Sequence, residues 1–146
     1  MPRIDFHPPD HYPGCGLTFV VIGARYRDKW VFIRHLHRKT YELPAGHIGK
    51  GEEADIAASR ELAEETGATA FRVECISTYT VRENASMRAG RLYFAEIETM
   101  GQQRDESEIE DLLLSSGLPS DLGFPHVQSL LFEYLEAYRA AQINSR

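Results

Sequence analysis

Apolar and polar positions along the first part of the chain follow the pattern of β-strands. One apolar run lies between Leu17 and Arg25, a second extends from Trp30 to Ile33, and the residues at 27–29 between them are polar. Two such runs joined by a short polar turn predict a β-hairpin. Before it, Met1 to Gly16 is rich in Pro, His and Gly and shows no period, which predicts an irregular arm.

The middle of the chain has the composition of a second strand pair. Phe71 to Val81 and Arg91 to Ile97 are rich in aromatic and β-branched residues, and the polar segment Asn84 to Gly90 separates them. This arrangement predicts two further strands. The polar and acidic stretch from Met100 to Asp111 is expected to be a loop.

Two segments have the characteristics of helices. One is expected from about Glu53 to Thr66, ending at Gly67, a residue type that favours a left-handed conformation after a helix. The closing segment begins near Pro125 and carries apolar residues at helical spacing, which are expected to pack in the core: Val127, Leu130, Leu131, Tyr134, Leu135 and Tyr138. Strands, helix, strands and helix in this order predict an α/β sandwich with a mixed sheet between the helices.

Size and composition narrow the class of protein. The chain has 146 residues, 42% of them hydrophobic, which predicts one domain over residues 1–146 with a single substantial core. No apolar run of about 18 residues occurs, so a cytoplasmic protein that does not enter a membrane is expected. Cys15 and Cys75 lack the spacing of a zinc or redox motif and are expected to be reduced thiols. The formal net charge of -6 argues against binding of long nucleic acids.

The segment from Gly46 to Ala68 carries the chemistry. On a helix, Glu61, Glu64 and Glu65 stand at i, i+3 and i+4, so three carboxylates project from one face within a single turn. Because like charges repel, a cation is their natural partner, and carboxylate oxygens suit hard ions such as Mg²⁺, which commonly bind together with substrate phosphates. The alternative is a solvated acidic helix face.

The residues around these carboxylates predict a rigid unit of loop and helix. Gly46 and the glycines at 49 and 51 permit a tight loop whose backbone can approach a metal ion or a phosphate. Arg60 follows the loop on the helix, points away from the glutamate face, and has Glu52 as its expected ion-pair partner.

The Gly46–Ala68 motif resembles the Nudix box, the signature of hydrolases that cleave nucleoside diphosphates linked to other moieties. It has a Gly, five residues, Glu, seven residues, and then Arg-Glu-apolar-x-Glu-Glu-x-Gly, with Ala68 where a larger apolar residue is usual. The run Leu43-Pro44-Ala45-Gly46 and the final Leu118-Pro119 are also similar to that family. The flanking Gly46-His47, the strand from Trp30 to Arg34-His35, and Phe124-Pro125-His126-Val127-Gln128 look most like the MutT-type or YtkD-like 8-oxo-dGTP diphosphatase subgroup.

The resemblance implies a metal site and its catalytic residues. Mg²⁺, with Mn²⁺ as a substitute, would be held by Glu61, Glu64 and Glu65 together with a backbone carbonyl of Ala45 or Gly46. The structural positions of the motif are Gly46, Glu52, Arg60 and Gly67, and Arg60 also belongs to the catalytic set. A further carboxylate is expected from Glu106, Glu108 or Glu110, with Glu108 favoured; the alternative is that all three are solvated loop charges.

Other residues could contact the substrate. The basic residues upstream of the motif could bind phosphates or form a solvated hairpin end: Arg34, His35, His37, Arg38 and Lys39. Tyr79, Arg82 and Tyr93 could stack on or read a base, or pack in the core. The six histidines lack the spacing of a zinc site.

These observations predict an α/β Nudix-type sandwich that acts as a Mg²⁺-dependent pyrophosphohydrolase on a nucleoside triphosphate or related nucleotide, such as an oxidised purine nucleotide. The products would be a nucleoside monophosphate and pyrophosphate. RNA 5'-pyrophosphohydrolase and nucleoside diphosphate-sugar hydrolase are alternatives with the same chemistry, and a nucleotide sensor that does not cleave is an alternative of another class. The oligomeric state stays open, a homodimer included.

Overall fold

The computed structural model describes residues 1–103 and 108–145. These contain seven strands and two helices, in the order β1 Arg3–His7, β2 Phe19–Tyr26, β3 Lys29–His35, β4 Ala45–His47, α1 Ala54–Thr66, β5 Ala68–Glu83, β6 Ser86–Met100, β7 Ile109–Ser115 and α2 Pro125–Asn144. Neither described helix has an apolar stretch of the length needed to span a bilayer.

All seven described strands belong to one mixed sheet. Its order is β1-β5-β6-β2-β3-β7, with β4 paired to β2 outside this path. The β2–β6 pair is parallel and the other pairs are antiparallel. Two residues with positive φ, Arg27 and Asp28, form the turn between β2 and β3, the geometry that joins antiparallel strands with the correct twist.

A helix covers each face of the sheet. Alternate residues of a strand point to opposite faces, and in β2 Val20 and Ile22 pack with Leu62 of α1 in one apolar cluster. Val21 packs with Leu131 and other residues of α2 in a second cluster on the opposite face. The predicted α/β sandwich with a mixed sheet between helices is confirmed.

Several predictions about individual elements are wrong in informative ways. The expected irregular arm contains β1, which pairs with β5 and so gains a partner that is distant in sequence. The expected loop that ends at Asp111 already contains the start of β7, because Ile109 pairs with His35 of β3. Leu130, expected in the core, is 40% exposed.

The tyrosines proposed as contacts to a base lie in the core. Tyr79 is 5% exposed and Tyr93 is 1% exposed, so neither ring offers a face to a ligand. The hydroxyl of Tyr93 donates a 2.6 Å hydrogen bond to Asp55 near the start of α1. The Tyr93 ring therefore links the sheet to α1, whereas Tyr79 packs in the apolar cluster between the sheet and α2. Both cysteines are free thiols, as expected.

Candidate active site

The glutamates of α1 meet the backbone of β4. Ala57, Ala58 and Leu62 bury one side of α1 against the sheet. Glu65 is 7% exposed, although it lies on the side next to β4. Its Oε1 accepts a 2.8 Å hydrogen bond from the backbone N–H of Ala45. The helix therefore carries one buried carboxylate directly against the strand that begins the Gly46–Ala68 motif.

Burial makes the charged form of Glu65 unfavourable. Loss of water raises the pKa of Glu65 to about 8, and the neighbouring carboxylates of Glu61, Glu42 and Glu64 add to this, while the Ala45 N–H opposes it. The last turn of α1 carries no basic residue, and the carbonyl end of a helix is itself negative. A cation beside Glu65 would relieve this concentration of negative charge.

Glu61 lies against the backbone of Gly46. A Cβ atom at Gly46 would overlap the Glu61 carboxylate, so only glycine leaves room for it. Burial raises the pKa of the Glu61 carboxyl, while the nearby Arg60 guanidinium acts in the opposite direction. Two carboxylates of α1, those of Glu61 and Glu65, thus approach the backbone of two consecutive residues, Ala45 and Gly46.

Arg60 joins the loop to the helix, as expected, and also reaches the glutamates. Its Nε and Nη2 donate to Glu52 at 2.8 and 2.9 Å, and Nη2 also donates to the carbonyl of His47 at 3.2 Å. The Arg60 guanidinium and the Gly49 N–H lower the pKa of Glu52 to about 2. The prediction that Arg60 points away from the glutamate face is wrong, because its Nη1 contacts Glu61 at 2.9 Å and Glu64 at 3.4 Å. A long side chain can reach back along its own helix, which residue spacing alone does not reveal.

The residues of this region are of the types that bind a divalent cation, but their side chains do not point to a common metal position. Within residues 1–103 and 108–145, no three His, Cys, Asp or Glu side chains are grouped as ligands of a metal ion. Glu61 and Glu64 are directed toward Arg60 instead. The side chains here that could bind a metal ion are carboxylates, and the Gly46 backbone lies next to the carboxylate of Glu61. Mg²⁺ and similar hard ions prefer such oxygen ligands.

His35 lies beside Glu65. Its Nε2 is 3.6 Å from Glu65 Oε2, and its side chain is 30% exposed. The sequence grouped His35 with other basic residues as a phosphate contact and gave no reason to single it out. Ile33 pairs with Glu42, so the end of β3 lies over the segment that leads to Ala45. This pairing places His35 beside Glu65.

The other basic residues upstream of the motif differ in their availability. Arg34 donates to Glu110 at 2.9 Å and to the carbonyl of Arg38 at 3.0 Å. Arg38 pairs with Glu42 at 3.2 Å. His37 has a φ of 68° and is exposed, as is Lys39. Arg34 lies in β3, and His37, Arg38 and Lys39 follow this strand in the loop before the site.

The candidates for a distal carboxylate separate into three cases. Glu106 lies outside the described residues. Glu110 is engaged by Arg34. Glu108 is exposed, and its backbone carbonyl accepts a 2.7 Å hydrogen bond from the N–H of Leu36, the residue after His35. Glu108 therefore lies at the same edge as His35, and its side chain forms no ion pair with any residue of 1–103 and 108–145.

Phe124, which the sequence did not single out as a contact, stands exposed at the start of α2. It precedes α2 with a φ of 48° and is 63% exposed. A bulky residue in the left-handed region is uncommon, and such strain is concentrated at functional sites. The Arg38 guanidinium lies 6.0 Å from the centre of its ring. The N–H of Gly123 donates to the carbonyl of Tyr41, which fixes this ring next to the segment that enters the site.

The buried Glu65 carboxyl predicts a pH dependence of stability in the metal-free protein. Its pKa is raised from 4.5 to about 8 in the folded state, so the folded protein binds more protons than the unfolded chain between these values. The free energy of unfolding should therefore fall as the pH rises from about 5 to 8, by at most about 1.4 kcal/mol per pH unit from this group. Urea unfolding of wild type and Glu65→Gln in a chelating buffer measures it. A pH slope that is equal in the two proteins would contradict the assignment.

Comparison with known proteins points to one family. The family model described as the NUDIX domain matches residues 17–117. A Bacillus subtilis (strain 168) protein provisionally named 8-oxo-dGTP diphosphatase YtkD is 35% identical over 99 residues, which are 68% of this chain and 62% of that protein. An RNA pyrophosphohydrolase of Caulobacter vibrioides is 38% identical over 67 residues, 44% of this chain and 37% of that protein. The matched region thus spans less than two thirds of either relative.

A solved structure is similar over almost the whole chain. The crystal structure of the Bacillus subtilis pyrophosphohydrolase BsRppH, as an E68A mutant, superposes with a TM-score of 0.78 and 27% sequence identity. The match covers 94% of this chain and 90% of that one. The likeness therefore extends into α2, which lies outside the part that the family model matches.

Proposed function

Since the chain belongs to the NUDIX family of hydrolases, we propose that it is a metal-dependent pyrophosphohydrolase of nucleoside triphosphates or related nucleotides, releasing a nucleoside monophosphate and pyrophosphate. The observation that carries the proposal is the buried Glu65 carboxylate, hydrogen-bonded to Ala45 N–H and surrounded by further carboxylates. Such a cluster is unfavourable by itself and becomes favourable when a cation and a phosphorylated ligand join it.

We propose that Glu61, Glu64 and Glu65, with the carbonyl of Ala45 or Gly46, hold Mg²⁺, which Mn²⁺ could replace. The bound ion supplies charge neutralisation for the diphosphate and a polarised water. Nudix hydrolases generally use divalent metals, and the oxygen donors here favour a hard ion. Arg60 acts on the same carboxylates, because it holds Glu61 and Glu64 in place and fixes the loop through Glu52.

The three glutamates differ in the proton chemistry open to them. In Glu65, Oε1 accepts a hydrogen bond from the Ala45 N–H and Oε2 faces His35, so both oxygens have a neighbour. The Glu64 side chain is 42% exposed, and within the described part of the chain its one ion-pair contact is with Arg60 at 3.4 Å. We infer that a Glu64 oxygen accepts the proton of the water that attacks phosphorus. Attack on the β-phosphorus would break its bond to the oxygen that bridges to the α-phosphorus, so the nucleoside monophosphate leaves and the oxygen of the water stays in pyrophosphate.

The phosphates are proposed to extend along the end of β3. His37 and Lys39 are exposed and form no ion pair among the residues described here, so both are available to an anion. Arg34 and Arg38 would exchange Glu110 and Glu42 for phosphate oxygens, which guanidinium groups bind well. Glu108 is proposed as the distal carboxylate.

Phe124 is proposed to stack on the nucleobase. Replacement by Ala should raise KM about tenfold and leave kcat nearly unchanged, because loss of base stacking costs on the order of 1–3 kcal/mol and acts on binding rather than on the reacting phosphate. Steady-state kinetics of Phe124→Ala and Phe124→Tyr measure this. Leu130→Ala is the matched control on the same helix, since Leu130 is also exposed. Equal KM values in all three variants would exclude the stacking role.

An RNA 5'-pyrophosphohydrolase is a second candidate. It is favoured by the Caulobacter vibrioides relative, which is named an RNA pyrophosphohydrolase. The BsRppH structure, named a pyrophosphohydrolase, is similar over 94% of this chain with a TM-score of 0.78. The reaction at phosphorus is the same, and the substrates differ in the chain that follows the first nucleotide. The formal net charge of -6 speaks against extended contact with a nucleic acid.

A panel of substrates tests the proposal. Nucleoside triphosphates, oxidised purine nucleotides, ADP-ribose, nucleotide sugars and a 5'-triphosphorylated RNA are incubated with Mg²⁺, and the loss of each substrate and the formation of its products are followed by chromatography. A hydrolase turns over at least one of them in a metal-dependent manner. A shift in thermal stability without turnover would instead identify a sensor.

We further propose that residues 1–146 act as one domain, because both apolar clusters share the same sheet. We also propose that the protein works in the cytoplasm, where nucleoside triphosphates are used.

A further inference from the structure

A second polar pocket lies at the opposite end of the sheet from the glutamate site. Its volume is about 340 Å³, and its lining includes Arg25, Arg27, Asp28, Phe94 and Arg139. Val20 of β2 pairs with Gly46, and Arg25 is five residues further along the same strand, which is about 16 Å at ordinary strand rise. The pocket is therefore separate from the proposed metal site.

Three arginines line this pocket, and within the described residues none of them has a carboxylate ion-pair partner. Arg25 stacks over Trp30 at 4.9 Å and Arg27 over Tyr26 at 5.0 Å. None of Arg25, Arg27 and Arg139 forms an ion pair with any residue in the described ranges. Arginine side chains in partly buried positions usually have such partners, so the guanidinium donors here are available to a ligand.

The acidic residues nearby do not neutralise the arginines. Glu96 lines the pocket, but its carboxylate is engaged by Arg72 at 3.2 Å. Asp28 and Glu136 act on Arg25 only at longer range. Burial and then the positive charge of Arg139 lower the pKa of Arg25, and these effects outweigh the three acids. The electrostatic environment around Arg25 thus favours an added anion.

We propose that this pocket binds a phosphate group, as inorganic phosphate or as the phosphate monoester of a nucleotide, at a position remote from the site of hydrolysis. Guanidinium groups bind phosphate oxygens through paired hydrogen bonds, and Arg25 and Arg139 approach the pocket from two elements, the end of β2 and the last turns of α2. Gln142 adds an amide donor, and Phe94 and Ile143 add apolar surface. The volume is at the lower end of the range for small-molecule sites.

The test follows the arginines in the full chain without metal. The Nε–H signals of arginine and the backbone amides of residues 25–28 are recorded by NMR while inorganic phosphate or a nucleoside monophosphate is added at constant ionic strength. We expect saturable shifts at Arg25 and Arg139. Arg25→Gln and Arg139→Gln should each raise the Kd about tenfold or more, because each removes a charge-assisted hydrogen-bonding group. Arg88→Gln, the same change in the β5–β6 hairpin, should leave the Kd unchanged.

The two arms distinguish the sources of the phosphate. Tighter binding of the nucleoside monophosphate supports a nucleotide as the ligand, and equal binding supports free phosphate. Shifts that grow linearly with phosphate, shifts that chloride reproduces, or an unchanged Kd in Arg139→Gln would overturn the proposal. Nucleotide hydrolysis with Mg²⁺ is measured in the same variants. A wild type that binds phosphate without hydrolysing any nucleotide would contradict the proposed function alone.

Discussion

Replacing Glu65 by Gln should reduce turnover at least about a thousandfold, equivalent to roughly 4 kcal/mol of transition-state stabilisation. Gln keeps the size of the side chain and an oxygen that can accept the N–H of Ala45, so the fold should persist. It lacks the negative charge that a divalent cation requires. Steady-state kinetics at saturating Mg²⁺, with circular dichroism to confirm folding, provide the measurement.

The matched control for Glu65→Gln is Glu133→Gln. Glu133 is an exposed glutamate of α2, so the same chemical change there should leave turnover unchanged. Turnover of Glu65→Gln at the level of wild type would refute the metal assignment. Equal losses in both variants would indicate a general effect of charge rather than a role of Glu65.

Gly46→Ala should lower kcat about a hundredfold while the protein remains folded. The added methyl group overlaps the Glu61 carboxylate, which must move away from the backbone. Small displacements of catalytic groups can cost about two orders of magnitude in rate. The affinity for metal should fall as well, because Glu61 is a proposed ligand. Kinetics as a function of Mg²⁺ concentration separate the two effects.

Gly117→Ala is the control for the glycine substitution. A Cβ at Gly117 would meet nothing within 4 Å, so this variant should behave as wild type. If Gly46→Ala retained the kcat and the Mg²⁺ dependence of wild type, the close approach of Glu61 to Gly46 would have no role in catalysis.

Local patterns were sufficient for much of the fold. The helix α1 and its end at Gly67 follow from sequence, since Gly67 adopts a φ of 81° and its N–H bonds to Ala63. The hairpin of β2 and β3 also follows from sequence, because two apolar runs flank a short polar turn. Strand β1 was missed because Pro2 and Pro8 flank a short segment whose hydrogen-bonding partner, β5, is more than 70 residues away at every pair. Pairing of this kind leaves little trace in local composition.

In the candidate site too, the residues placed by local spacing could be predicted, and those placed by contacts between distant segments could not. The spacing of Glu61, Glu64 and Glu65 and the Arg60–Glu52 pair depend on one helix and its adjoining loop, so sequence could predict them. His35 and Phe124 could not be singled out, because each reaches the site through contacts between distant segments. Leu130 has the helical spacing expected of a core residue, yet it is exposed. The buried face of α2 therefore includes fewer residues than its apolar spacing predicts.

Hydrolysis in ¹⁸O-labelled water tests the central claim most directly. A nucleoside triphosphate that the substrate panel identifies is incubated with the protein and Mg²⁺, and the products are analysed by mass spectrometry. The account predicts a nucleoside monophosphate and pyrophosphate, with the label in pyrophosphate, and no reaction when the metal is chelated. Failure to hydrolyse any nucleotide of the panel at saturating Mg²⁺, or hydrolysis that continues unchanged in the presence of a chelator, would contradict it.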